Sequence, residues 1–212
     1  MKTKALLITA VAFALGLPLA AQADDWGNNG EWWNQGFVGL DIGSAHHGGS
    51  RNGTIPGFTN DVSDNDTGYR INLGYQFNRV WALEAGYVDL GRTRLIETGP
   101  GGSFTDERKA RGFVIDGTAM LPFTDTFSGF LRLGTIDAHV QENDTSVGTI
   151  TVPSSNTTSD DWRATYGVGL DWRVADHVSL RLGWDQYHQL GNDSDVGKDN
   201  VNFTSLGVVF RF

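Results

Sequence analysis

The sequence predicts an all-β fold, an eight-stranded antiparallel up-and-down transmembrane β-barrel, and three observations carry that prediction. Apolar and polar residues alternate in segments of about nine residues, the length a tilted strand needs to cross hydrocarbon. The apolar members of these segments share faces that carry no charge, while charged residues occupy the opposite faces, the inverse of a water-soluble barrel. Helical periodicity is absent, and beyond the N-terminal leader no apolar run approaches the roughly 18 residues of a spanning helix.

The chain opens with Lys2 and Lys4, an apolar stretch over residues 5–19, and Ala21-Gln22-Ala23. A basic start, a short apolar stretch and a small-residue site make residues 1–23 a secretory signal peptide, with cleavage expected after Ala23. Losing its two lysines takes the formal charge from −9 to −11. Nucleic acid is therefore not expected as a partner, since binding it needs a basic face to neutralise phosphates. The chain has no cysteine, so disulfides and thiol chemistry are excluded. Residues 24–35 hold Trp26, Trp32 and Trp33 among Gly, Asn and acids, and are expected as a periplasmic N-terminal segment with its indoles at the membrane interface.

The outer-membrane barrel is expected over residues 36–212, with strands near 36–45, 67–77, 80–90, 111–121, 127–138, 162–173, 178–188 and 201–212. An even number is the rule for bacterial single-chain barrels. The clearest strand runs from Tyr69 to Phe77, where Tyr69, Ile71, Leu73, Tyr75 and Phe77 alternate with Arg70, Asn72, Gly74 and Gln76. Trp162 to Trp172 and Val178 to Trp184 repeat the pattern. In the same register one face of the first strand carries Val38, Leu40 and Ile42; of the third, Trp81, Leu83, Ala85 and Tyr87; of the fourth, Phe113, Ile115, Ala119 and Leu121. Phe127, Leu131 and Leu133 continue it in the fifth strand, and Leu206, Val208, Phe210 and Phe212 in the last. None of these positions is charged, although charged residues make up 19% of the chain. The opposite faces carry Asp41, Arg70, Glu84, Asp116, Arg132, Arg163, Asp171, Arg173, Arg181, Asp185 and Arg211. An arginine at the lipid midplane costs about 2–4 kcal/mol, so a bilayer would select this arrangement.

Tight connections are expected at Asn78-Arg79, Pro122 to Thr126 and Val174 to His177, and long loops at about 46–66, 91–110, 139–161 and 189–200. Short turns belong to the periplasmic end of such barrels and long loops to the outside. Aromatics near the short turns (Phe77, Trp81, Phe123, Phe127, Trp172, Phe212) and near the long loops (Tyr69, Tyr87, Phe113, Trp162, Trp184) imply two interfacial girdles.

Leu83-Glu84-Ala85-Gly86-Tyr87 followed by Asp89-Leu90-Gly91, Gly167 to Trp172, Ser179-Leu180-Arg181-Leu182 and the terminal Leu206-Gly207-Val208-Val209-Phe210-Arg211-Phe212 resemble segments of the outer-membrane protein A transmembrane-domain family. The resemblance spans essentially the whole chain after the leader. It implies that Phe212, Phe210, Val208 and Leu206 form the signal read by the barrel-assembly machinery, with periplasmic chaperones as partners on the way. It further implies an interior salt-bridge gate, for which Glu84, Asp171 and Arg181 occupy matching positions, with Thr118 where the family has a lysine. The peptidoglycan-binding domain of longer members is not expected after Phe212.

An eight-stranded barrel is just wide enough for its own side chains to fill it. Glu84, Asp171, Arg181, Arg70, Asp116 and Arg132 are accordingly expected to form a packed ionic network in the lumen. No catalytic residue is assigned: His188 is followed by Gln189 and Leu190, so the His-x-Ser arrangement of barrel-type lipid A deacylases is missing, and His46, His47, His139 and His177 are scattered. The run Asp193 to Asp199 places oxygens at alternate residues like a calcium loop but lacks the distal glutamate, and His46-His47 alone is a weak metal signal. No metal or cofactor is expected. The reading is a monomeric, non-enzymatic outer-membrane barrel supporting envelope integrity, with a largely plugged lumen and with outer-membrane lipid and lipopolysaccharide around it. The alternatives are an adhesin acting through its outer loops or a narrow small-solute pore.

Overall fold

In the computed structural model the described residues are 35–48, 59–148, 156–191 and 199–212. The signal peptide and most of the N-terminal segment with its three tryptophans lie outside them, as does most of the run from Asp193 to Asp199.

One-sided polarity forces these segments into strands that pair around a ring, because a bilayer leaves no backbone group free to bond solvent and a closed sheet has no edge. The strands are β1 (Gln35–His47), β2 (Thr59–Ser63), β3 (Asn65–Gln76), β4 (Trp81–Gly99), β5 (Gly102–Pro122), β6 (Phe127–Gly148), β7 (Asn156–Ala175), β8 (Val178–Leu190) and β9 (Asp199–Arg211). All pairings are antiparallel and follow chain order, β1 to β3, β3 to β4 and so on to β9, which returns to β1 through Phe37↔Arg211 to His47↔Val201. Eight strands thus close the barrel. The ninth, β2, pairs only with the outer part of β4, from Thr59↔Thr98 to Ser63↔Arg94.

The barrel wall is inverted as expected from the alternation. Leu40, Ile42, Ile71, Leu133, Leu182, Leu206 and Phe210 are exposed on its outside, while Asp41, Arg70, Glu84, Asp116, Arg132, Asp171, Arg181, Asp185 and Arg211 are buried within. Rings flank the apolar band: Phe123 packs on Phe127 at the short-turn end, and Tyr87 meets Phe113 edge-on, with centroids 5.4 Å apart, toward the other.

Two of the expected long loops, 91–110 and 139–161, are largely strand, and the described part of a third, 46–66, is strand as well. Residues 91–110 form a β-hairpin that continues the membrane rungs beyond a bulge between Asp89 and Arg92 and reverses at Pro100-Gly101, where Gly101 takes φ 111°. Proline followed by a positive-φ glycine is the residue pairing of a type II turn. Residues 139–148 and 156–161 likewise continue β6 and β7, and 59–66 falls largely in β2 and β3. The expected boundaries ended where alternation ended, but above the membrane both faces of a strand meet water and nothing requires alternation there. In consequence β4 to β7 have 19 to 22 residues against 12 or 13 in β1, β3, β8 and β9. At about 3.3 Å per residue, the strands on one side of the barrel are roughly 20–30 Å longer than those on the other.

Candidate functional site

The lumen holds the densest polar chemistry among the described residues. Every strand of the ring contributes a charge, and β8 contributes two, Arg181 and Asp185, since inward positions recur every second residue and neighbouring strands are locked in register. Glu84 on β4 stands opposite Asp116 on β5, and Asp171 on β7 opposite Arg181 on β8.

Glu84, fully buried, is the hub. Its carboxylate accepts from Arg181 Nη1 at 3.2 Å, from Asn72 Nδ2 at 2.6 Å and from Thr118 Oγ1 at 3.0 Å. Arg132 Nη2 lies 3.5 Å away and Arg70 Nη2 3.6 Å. Three guanidiniums therefore converge on one carboxylate, and each has a second anion. Arg70 donates to Asp116 at 2.7 Å, Arg132 to both oxygens of Asp185 at 2.7 and 2.9 Å, and Arg181 to Asp171 through Nε at 3.4 Å. Thr165 donates to Asp116 at 2.7 Å, and Arg211 reaches Asp171 at 3.2 Å and also bonds Ser179.

All six residues expected in the network, Glu84, Asp171, Arg181, Arg70, Asp116 and Arg132, lie in one connected cluster. Asp185 and Arg211, which the alternation had put on the inward face, join them. Thr118, standing where the resemblance has a lysine, is a hydroxyl donor to Glu84, and the positive charge missing there is supplied by Arg70 and Arg132.

Aromatic rings lie beneath the guanidiniums. Phe130 lies 4.9 Å from the Arg132 carbon and 5.0 Å from that of Arg181, and Phe37 lies 5.7 Å from Arg181, all within reach of cation–π attraction. Room for these inward rings comes from glycine: a Cβ on Gly169 would sit 2.4 Å from the Phe130 ring, and one on Gly74 2.2 Å from the Phe37 ring.

The alternation did not reveal the next layer. Toward the long-strand end the lumen is filled by Ala45, Val88, Leu90, Ala110, Val114, Ile136, Ala138, Val140, Tyr187, Leu190, Val201 and Phe203, all buried and contiguous. The expected ionic network thus fills only part of the lumen: it is capped by an apolar plug contributed by β1, β4, β5, β6, β8 and β9. Burying these side chains against one another stabilises the barrel and expels water, where a second ionic layer would have needed full pairing. The available signal was aromatic and β-branched residues at inward positions beside a glycine, as with Phe203 and Gly68. Above the plug, His47 Nδ1 meets Asp199 at 3.4 Å and Arg108 donates to Glu142 at 2.7 Å, around a hollow of about 20 Å³, roughly one water's worth.

Phe212, Phe210, Val208 and Leu206 form an exposed row on the outer face of the end of the chain, and the Phe212 amide donates to the Gly36 carbonyl at 2.9 Å. Among the described residues no cluster of three or more His, Cys, Asp or Glu side chains is placed to hold a metal.

No curated protein matches the sequence. Solved structures are similar in fold. The attachment invasion locus protein Ail of Yersinia pestis is 15% identical, with a TM-score of 0.54 covering 85% of this chain and 99% of that one. The N-terminal β-barrel domain of Pseudomonas aeruginosa OprF is 14% identical over 85% and 98% of the two chains, TM-score 0.48, and Neisserial surface protein A 16% identical over 88% and 99%, TM-score 0.47. The family model of the OmpA-like transmembrane domain matches residues 32–212. A closed eight-stranded barrel with lipid-facing alternation, matched along its whole length by that model, belongs to the OmpA-like transmembrane domain family of the outer membrane.

Proposed function

We propose that this outer-membrane barrel is a non-enzymatic, closed-lumen component of the envelope, acting through its wall and its surface more than through a passage. The observation that carries the reading is Glu84, held in the lumen by Arg70, Arg132 and Arg181 directly beneath an apolar plug. Ions crossing such a lumen would have to part a multiply paired ionic cluster and wet a hydrocarbon layer, two barriers of different kinds in series. Insertion of the refolded chain into a planar bilayer at neutral pH is expected to leave the membrane silent. Regular conductance steps would overturn the reading in favour of a narrow pore.

A second reading, surface recognition, is favoured by the tall wall of β4 to β7, which carries paired backbone well beyond the aromatic ring formed by Tyr87 and Phe113. Rigid presentation of side chains above a membrane suits adhesion, and attachment is what the name of the similar Ail protein declares. Binding of labelled cells to the immobilised barrel, lost when the wall is shortened, is the test.

Phe212 and the row it ends serve in this reading as the mark by which assembly factors recognise the chain. Deleting Phe212 is expected to lower the amount of folded barrel in the outer membrane by tenfold or more while leaving refolding in detergent intact, as seen by gel mobility with and without boiling.

A further inference from the structure

β4 changes partners as it leaves the membrane. Its rungs with β3 end at Tyr69↔Asp89, and its rungs with β2 begin only at Ser63↔Arg94. Between them β3 follows β1 instead, through Ser44↔Thr67, Ala45↔Asp66 and His46↔Asn65. On its other side β4 shifts register against β5 between Asp89 and Arg92. Among the described residues, Leu90 and Gly91 therefore stand in no ladder, and Gly91 takes φ 73°, the left-handed conformation of a glycine bulge. The outer arm of β4 beyond them, with β2 along its edge, is joined to the other strands by its rungs with β5, Arg92↔Lys109 to Gly99↔Gly102. The registers of β5 with β6 and of β6 with β7 carry no such break.

Backbone groups that leave a ladder need other partners, and at this break side chains supply them. The Asp66 carboxylate accepts from the Arg92 amide at 2.7 Å and from its neighbour, the Thr67 amide, at 2.8 Å. His47 Nε2 lies 3.3 Å from the Leu90 carbonyl, and since a carbonyl only accepts, the imidazole is the donor. Asp89 takes the Gly91 amide at 3.0 Å from within β4 itself. Asp66 and His47, by contrast, stand on backbone that belongs to the ring, Asp66 as a rung partner of β1 and His47 as a rung partner of β9. Gly91 makes the approach possible, because a Cβ there would lie 2.6 Å from the Asp66 carboxylate. The bulge is thus gripped on both sides, at the carbonyl before Gly91 and at the amide after it, by two residues of the ring.

Where the rungs of a sheet lapse, the segment beyond can open while the remainder stays closed. We propose that Asp66 and His47 are the ties that fasten the outer arm of β4, with β2 paired on it, to the ring, and that cutting them releases this arm as a unit that opens on its own. The ties hold whether or not the lumen conducts and whether or not the wall binds a partner.

The test is amide hydrogen exchange on the mature barrel refolded in detergent micelles, comparing wild type with Asp66→Ala, His47→Ala, the double variant, and Asp125→Ala as a control in a short turn. In Asp66→Ala the Arg92 amide is expected to exchange roughly tenfold faster or more, the loss of one hydrogen bond to a charged acceptor, while Leu83 and Ile115 in the ring keep their wild-type rates. The double variant is expected to speed exchange along the arm further than either single change, and all variants to keep a heat-modifiable folded band. An Arg92 amide as slow in Asp66→Ala as in wild type would overturn the tie. Equal acceleration at Leu83 and Ile115, or loss of the folded band, would overturn the division between ring and arm, since Asp66 would then support the barrel as a whole. A double variant no faster than Asp66→Ala would remove His47 from the fastening.

Discussion

Glu84 illustrates how a single residue can cost more to alter than to bury. Its charge is compensated on three sides, so Glu84→Gln leaves Arg70, Arg132 and Arg181 facing a neutral amide in a site closed to water. Loss of one partner from a buried ionic group costs about 3–5 kcal/mol, and thermal unfolding in detergent should show a destabilisation of that order. Gly169→Ala tests packing in place of charge: the added Cβ would meet the Phe130 ring and, at 2.2 Å, the Leu182 carbonyl. Overpacking of this kind should cost about 1–3 kcal/mol in the same assay. At the rim, hydrogen bonding from Arg94, and then from Arg92, holds the Glu107 carboxyl below the ordinary glutamate range. The sign follows from the lowered value: the folded state binds this proton less readily than the unfolded chain, so the stabilisation is complete above the unfolded pKa and disappears as pH falls through the folded one. The melting-temperature difference between wild type and Glu107→Gln should therefore be constant at neutral pH and shrink on acidification below the ordinary glutamate range. The ionic residues were legible from alternation alone, because hydrocarbon outside forces every charge inward. Their pairing was not, since Arg132 and Asp185 are far apart in the chain and meet only once the ring has closed.

Among the elements, legibility divides at the membrane surface. From Tyr69 to Phe77 each outward position faces lipid and the strand reads plainly, whereas Arg92-Thr93-Arg94 and Thr157-Thr158-Ser159-Asp160-Asp161 belong to equally regular strands with no such pattern. Backbone pairing inherited from the rungs below carries them upward. The hairpin above the membrane should thus be dispensable to the barrel. Replacing residues 93–108 by Asn-Gly, a pair suited to a two-residue turn, should leave a heat-modifiable folded band, since the rungs Trp81↔Ala119 to Asp89↔Arg111 are untouched. Loss of that band would mean the wall is integral to folding. The apolar plug escaped sequence reading for a related reason: Val88, Val114 and Ile136 occupy positions that a two-sided code assigns to polar residues, and only the layering of the closed lumen gives them neighbours.

For the molecule as a whole, the two barriers in the lumen make a joint prediction. Arg181→Ala loosens the ionic cluster but leaves the plug, and Phe203→Ala thins the plug but leaves the cluster. Each single variant should remain silent in a planar bilayer, while the double variant conducts. Conduction by Arg181→Ala alone would show that the apolar layer seals nothing.

The seam that completes the ring joins β1 to β9, and it brings Gly36 and Phe212 within one hydrogen bond. A cylinder closed this way has no preferred starting strand. Fusing Phe212 to Gln35 through a short linker and reopening the backbone at Arg79 would give a circular permutant with the same staves in the same cyclic order. Such a permutant should refold unaided in detergent yet go astray in the living cell, where delivery depends on a free aromatic tail, and so would separate what the cylinder needs in order to stand from what the cell needs in order to find it.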